Sequence, residues 1–223
     1  MICLVTDRRR LSMDADATDR LVDLVAAASE AGVDLVQIRE RDLSARDLFA
    51  LARRCVQAAR GTATKIVVND RVDVAVAAGA HGVHLRGDSL SSAAARSIVG
   101  RNMLVGCSVH SVKEAMTASA TGAADYLILG TLFATASKPG EHPVLSLDEL
   151  AEAASATKVP VLAIGGITVE RAEAVGRAGA AGVAGIGLFI RPDGSVSREH
   201  LQTVVGALRS ALRIGVRHDA ATT

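Results

Sequence analysis

Gln37, Arg39 and Arg41 alternate along the chain, so their side chains share one side of an extended segment. Arginine grips phosphate and carboxylate through a planar, permanently charged fork. These two therefore mark an anion site, unless Glu40 and Asp42 absorb them in surface ion pairs. Asn69-Asp70 offers a carboxylate and an amide for a metal or a polar ring, or else a turn or helix cap. His110, with Ser108 and Ser111 close by, is the proton-transfer candidate, because imidazole titrates near neutrality. Gly165-Gly166, directly before a helix start, and Gly185-Ile186-Gly187 are glycine pairs of the kind that let backbone N–H groups approach a phosphate. Tight turns are the alternative for both. Lys138 stands in a long polar segment between Thr131 and Ser146. His84 lies inside an apolar run and reads as a hydrogen-bonded packing residue. No His, Cys, Asp and Glu set has zinc spacing.

These residues fall at the ends of short apolar runs. Eight runs read as strands: 2–6, 35–39, 65–69, 82–85, 104–109, 126–130, 161–165 and 183–188. They lack strict alternation, as strands covered on both faces do. Helical stretches separate them, among them 18–31, 45–59, 112–120, 147–156, 169–178 and 198–212. A glycine pattern recurs between helix and strand at Gly32, Gly79, Gly122 and Gly179, as expected for left-handed helix caps that turn the chain into the next strand. Eight such units in one chain of 223 residues predict a single α/β domain, a (β/α)8 TIM barrel over residues 1–213, with 214–223 as a disordered tail. The active site of that fold lies where the strands end, and strands seven and eight supply its phosphate site. An open doubly wound sheet is the rival, but no G-x-G-x-x-G follows the first strand.

Composition removes other classes. Net charge is +1, and the aromatics are three Phe and one Tyr with no Trp. That leaves no basic stripe and few stacking platforms for nucleic acid. No stretch has the ~20 apolar residues of a membrane helix. Three scattered cysteines, Cys3, Cys55 and Cys107, predict reduced thiols in a cytoplasmic protein. The sequence leaves a monomer or a homodimer open.

Seven segments, in order, resemble the family of thiamine phosphate synthase and thiazole tautomerase. They are Gln37 to Arg41, Asn69 to Asp73, Gly82 to Leu85, Gly106 to Ser111, Ala124 to Tyr126, Gly130 to Lys138, and Ala163 to Ile167. The resemblance implies a barrel acting on a phosphorylated thiazole in vitamin B1 synthesis. A synthase would couple a pyrimidine diphosphate to the thiazole and hold Mg2+ on two aspartates. Asp70 matches one. Ser89 stands in place of the other, and Asp88 is one residue early. A tautomerase would move a proton with no metal, and its pattern resembles Arg39-Glu40-Arg41 and Ser108 to Ser111. The expected activity is therefore the tautomerase, with His110 and Ser108 catalytic. Gln37, Arg39, Arg41, Asn69, Lys138 and the glycines 165, 166, 185 and 187 would bind substrate. The synthase is the alternative, and a non-catalytic phosphate-binding barrel a second one.

Overall fold

The computed structural model describes residues 1–134, 144–191 and 193–219, with backbone only for 214–219. Eight strands form a closed parallel barrel in chain order. They are β1 (Ile2–Val5), β2 (Leu35–Ile38), β3 (Lys65–Asn69), β4 (Gly82–Leu85), β5 (Leu104–Val109), β6 (Tyr126–Leu129), β7 (Val161–Ile164) and β8 (Gly182–Gly185). β1 closes the ring against β8, Cys3 opposite Ala184. The α-helices are α1 (Ala17–Glu30), α2 (Ala45–Ala58), α3 (Val72–Ala77), α4 (Ser92–Val99), α5 (Val112–Ala120), α6 (Leu147–Ala156), α7 (Val169–Arg177) and α8 (Arg198–Asp219).

Local chemistry starts and stops these elements. The hydroxyls of Ser44, Ser91, Ser111, Ser146 and Thr168 each accept a backbone N–H in the first turn of the helix they precede. Each cap satisfies a donor that the helix itself cannot. The four recurring glycines, Gly32, Gly79, Gly122 and Gly179, all have positive φ, between 64° and 88°.

Two ends differ from the expectation. β8 stops at Gly185, and a 3-10 turn over Gly187–Phe189 follows it, so the run 183–188 is only half strand. Leu188 and Phe189 are apolar because Phe189 packs into the core, not because they pair in the sheet. Helix α8 continues to Asp219, past the expected end at Leu212 and into the segment expected to be a tail. No proline interrupts it there, and one glycine weakens a helix without stopping it.

Two apolar clusters hold the barrel. The larger lies between strands and helices and is built from Leu, Ile, Val and Ala. The smaller fills the lumen with Cys3, Val5, Leu35, Val67, Tyr126, Ile128, Leu162 and Ala184. Tyr126 is its one ring, 2% exposed. Gly106 makes room for that ring, since a Cβ there would stand 2.1 Å from Tyr126 Cζ. Among the described residues no helix is long and apolar enough to cross a membrane.

Candidate active site

Inward-facing positions at the strand ends are polar. Gln37, at the end of β2, is buried and donates from Nε2 to Asn69 Oδ1 at 3.1 Å. Asn69 ends β3 and passes its own amide to Asp70 Oδ2 at 3.2 Å. Asp70 has a φ of 61°, a left-handed backbone that Asp tolerates better than most residues and that clusters at functional sites.

The surroundings of Asp70 decide what it can hold. Its Oδ1 accepts the Ser89 hydroxyl and the Arg86 backbone N–H. Its Oδ2 lies 3.2 Å from Arg86 Nε. Asp88 is paired with the same guanidinium, Nε to Oδ1 at 2.9 Å. Both acids therefore face donors and a fixed positive charge. Among the described residues no group of three or more His, Cys, Asp and Glu is placed to hold a metal. Mg2+ can keep water and substrate phosphate as ligands but needs a free carboxylate, and both Asp70 oxygens are turned to donors with a guanidinium against them, which does not suit a divalent ion. Asp88 is turned to Arg86.

The arginines after β2 are not absorbed by their neighbours. Glu40 is buried and belongs to Arg8, accepting from its Nη1 at 3.0 Å and from its backbone N–H at 3.2 Å. Thr6 donates to the same carboxylate at 2.7 Å, and its oxygen accepts the Arg39 N–H at 2.9 Å. Asp42 pairs with Arg8 and Arg9, and the Arg8 guanidinium holds its carboxyl far below the usual range. So Arg39 and Arg41 have no acidic ion-pair partner among the described residues. Burial presses the pKa of Arg39 down, and the charge of Arg41 adds to that. The surface ion-pair reading of Arg39 and Arg41 is thereby replaced.

Ser108 and His110 have separate surroundings. Ser108 Oγ is 2.9 Å from His84 Nε2, and His84 Nδ1 is 3.1 Å from the Tyr126 hydroxyl. His84 is 1% exposed, and burial lowers its pKa to about 4, so at neutral pH it is an uncharged spacer that orients Ser108. The packing role expected of His84 is what the structure has. His110 Nδ1 lies 2.7 Å from the Gly130 carbonyl oxygen. A carbonyl only accepts, so Nδ1 carries a proton. The His110 N–H donates to Glu114 at 2.8 Å, and Ser111 is the cap of α5.

The glycine ends of β7 and β8 adjoin each other in the ring. Gly165 and Gly166 have φ of 102° and 59°. A Cβ on Gly166 would meet Phe133 Cβ at 2.7 Å, so the glycines there also admit the segment after β6. Arg171 Nη1 donates to the Gly166 carbonyl at 2.6 Å and its guanidinium lies over the Phe133 ring. Arg10 lies beside Gly187, its Nη1 2.9 Å from where a Cβ would stand. Lys138 lies outside the described residues. Sequence reasoning did not single out Thr6, Arg8, Arg10 and Arg86; their one signal was position just after a strand, which Arg86 and Arg8 both have.

A closed (β/α)8 barrel gathers at its strand ends arginines without an acidic ion-pair partner among the described residues, buried amides and paired glycines, the end where barrel enzymes carry their sites. The pattern of the thiamine monophosphate synthase family matches residues 2–189. The chain belongs to that family. A thiamine-phosphate synthase of Roseiflexus sp. (strain RS-1) is 39% identical over 217 residues, covering 96% of this chain and 89% of the relative. One from Roseiflexus castenholzii is 41% identical over 190 residues, 85% of this chain and 81% of the relative. A solved thiamine phosphate pyrophosphorylase from Pyrococcus furiosus superposes with a TM-score of 0.80 at 30% identity, covering 96% of both chains. These relatives favour the coupling alternative over the tautomerase expectation.

Proposed function

We propose that this chain is a thiamine-phosphate synthase, coupling a pyrimidine diphosphate to a thiazole phosphate with release of pyrophosphate. The observation that carries the reading is the pair of guanidiniums, Arg39 and Arg41, just after β2, without an acidic ion-pair partner among the described residues and beside the Gln37–Asn69–Asp70 chain. In the reaction the ring nitrogen of the thiazole forms a C–N bond to the pyrimidine methylene carbon. The C–O bond to the diphosphate breaks, and its electron pair leaves on the diphosphate oxygen. The residues act by binding and by stabilising that developing charge. Arg39 and Arg41 grip the diphosphate. Gln37 and Asn69, each fixed by the other, offer amide groups to the polar pyrimidine. The glycines 165, 166, 185 and 187, with Arg10 at hand, take the thiazole phosphate. Ser108, held by His84, borders the reacting centre.

His110 favours a second reading. Its imidazole stands just after β5 with Nδ1 oriented by the Gly130 carbonyl, a place from which a histidine could move a proton in thiazole isomerisation. One assay separates the two. Both substrate sets are supplied, and products are followed by mass spectrometry. Thiamine phosphate and pyrophosphate are expected, and Arg39→Gln lowers their formation by at least ~10-fold, the worth of one charged contact. Isomerised thiazole carboxylate phosphate without coupling, lost in His110→Asn, rejects the synthase reading for the tautomerase.

A further inference from the structure

We propose that Arg86 supplies the positive charge that a divalent cation would otherwise bring, so that Arg39, Arg41 and Arg86 bind the diphosphate without metal. The proposal rests on the coupling reaction above and adds to it what the site uses for charge. Arg86 follows directly on β4. It is locked to Asp70 through both its backbone N–H and its Nε, 3.2 Å in each case. Ser89 completes the lock by donating to the same carboxylate, and its oxygen accepts the Arg86 N–H at 3.1 Å. An aspartate at 89 would put a second acid against Asp70 and draw a cation between them. A serine cannot; it turns Asp70 into an anchor for a guanidinium instead.

The charges around this point are unequal. Arg41, Arg71 and Arg86 line one small cavity with Glu40, Asn69 and Asp70. Glu40 is committed to Arg8, Asp70 to Arg86, and Arg71 to Asp73. Arg39 and Arg41 have no acidic ion-pair partner among the described residues, and the Arg39 group feels Arg41 and Arg86 as well as the more distant acids Asp7 and Glu40. Arg86 has one further partner, Asp88, whose side chain is 71% exposed. That pair is two-pronged, Nε and Nη2 against the Asp88 carboxylate, but its acid stands in solvent, so an arriving phosphate competes with Asp88 for these donors while Asp70 keeps its hold on the Arg86 backbone N–H. Arg39 and Arg41 bring two positive charges to the diphosphate, and Arg86 adds a third guanidinium whose charge it shares with Asp70. As the C–O bond breaks, the charge left on the diphosphate grows, and the Arg86 fork meets it with two aligned donors.

Titration calorimetry of the full chain with inorganic pyrophosphate tests this, once in EDTA and once with Mg2+. Binding in EDTA is expected, and Arg86→Met should weaken it at least ~10-fold whereas Arg86→Lys, which keeps the charge, weakens it less. Mn2+ alone, followed by electron paramagnetic resonance, should not bind, and Ser89→Asp combined with Arg86→Gln should create Mn2+ binding. Pyrophosphate binding that needs Mg2+, Mn2+ binding that Asp70→Asn abolishes, or an Arg86→Met variant with unchanged affinity overturns the proposal. Failure of the coupling reading is a separate result: no product from both substrates under any metal condition, whatever the pyrophosphate titration gives.

Discussion

Gly106→Ala tests whether the lumen of the barrel is packed to the point of positioning Ser108. The added Cβ would stand 2.1 Å from Cζ and 2.4 Å from the hydroxyl of Tyr126. That ring is buried and surrounded by strand residues, so it has no solvent to swing into. Forcing a methyl into a filled core costs ~1–3 kcal/mol, and moving the hydroxyl off His84 adds about 1 kcal/mol for the lost hydrogen bond. The expected loss is therefore ~2–4 kcal/mol, or roughly 4–16 °C in Tm for a domain of this size. Differential scanning calorimetry measures it. Because the cost comes from one contact, Tyr126→Leu in the same chain should relieve part of it, with a coupling of at least ~0.5 kcal/mol in a double-mutant cycle. The variant should also lose coupling activity, since His84 then ceases to hold Ser108. An unchanged Tm, or two substitutions whose costs simply add, refutes the reasoning.

Two further outcomes follow from buried charge. His84 titrates at about 4 in the fold, against 6.5 ordinarily. The unfolded chain therefore binds a proton between those values that the folded chain refuses. Stability from this group is complete above pH 6.5 and falls as the pH drops toward 4, with about 2 kcal/mol gone at pH 5. Urea unfolding at pH 7 and pH 5 shows it, and the difference should shrink in His84→Asn; an equal difference in that variant rules out His84 as the cause. Glu40 is buried against Thr6 and Arg8, and burial raises its pKa despite those partners. Glu40→Ala should cost ~3–5 kcal/mol by stranding the buried donors, whereas Glu40→Gln, which keeps an acceptor, should cost less than half as much. Equal losses in thermal unfolding would contradict that account.

Much of the architecture is legible along the chain. Runs of Val, Ile and Leu, serine or threonine caps and four recurring glycines are local signals, and each acts within a few residues. They placed all eight strands. Arg39 and Arg41 were visible from their alternation with Gln37, although β2 ends at Ile38 and both lie just beyond it. What the partners of those arginines would be was not visible. Glu40 is adjacent in sequence to both, yet it turns to Arg8, 32 residues away, because neighbouring residues on a strand end point to opposite sides.

The sequence by itself determined the barrel and the family to which the chain belongs. It also showed that an aspartate is missing at Ser89. Only the tertiary structure decided what fills the gap. Closing the ring brings β4 beside β3, and that sets the Arg86 guanidinium on Asp70, 16 residues earlier. The same closure joins Tyr126, His84 and Ser108 from three strands into one hydrogen-bonded line. Neither arrangement leaves a trace in spacing, because the distances are fixed by strand register and barrel curvature rather than by the run of the chain.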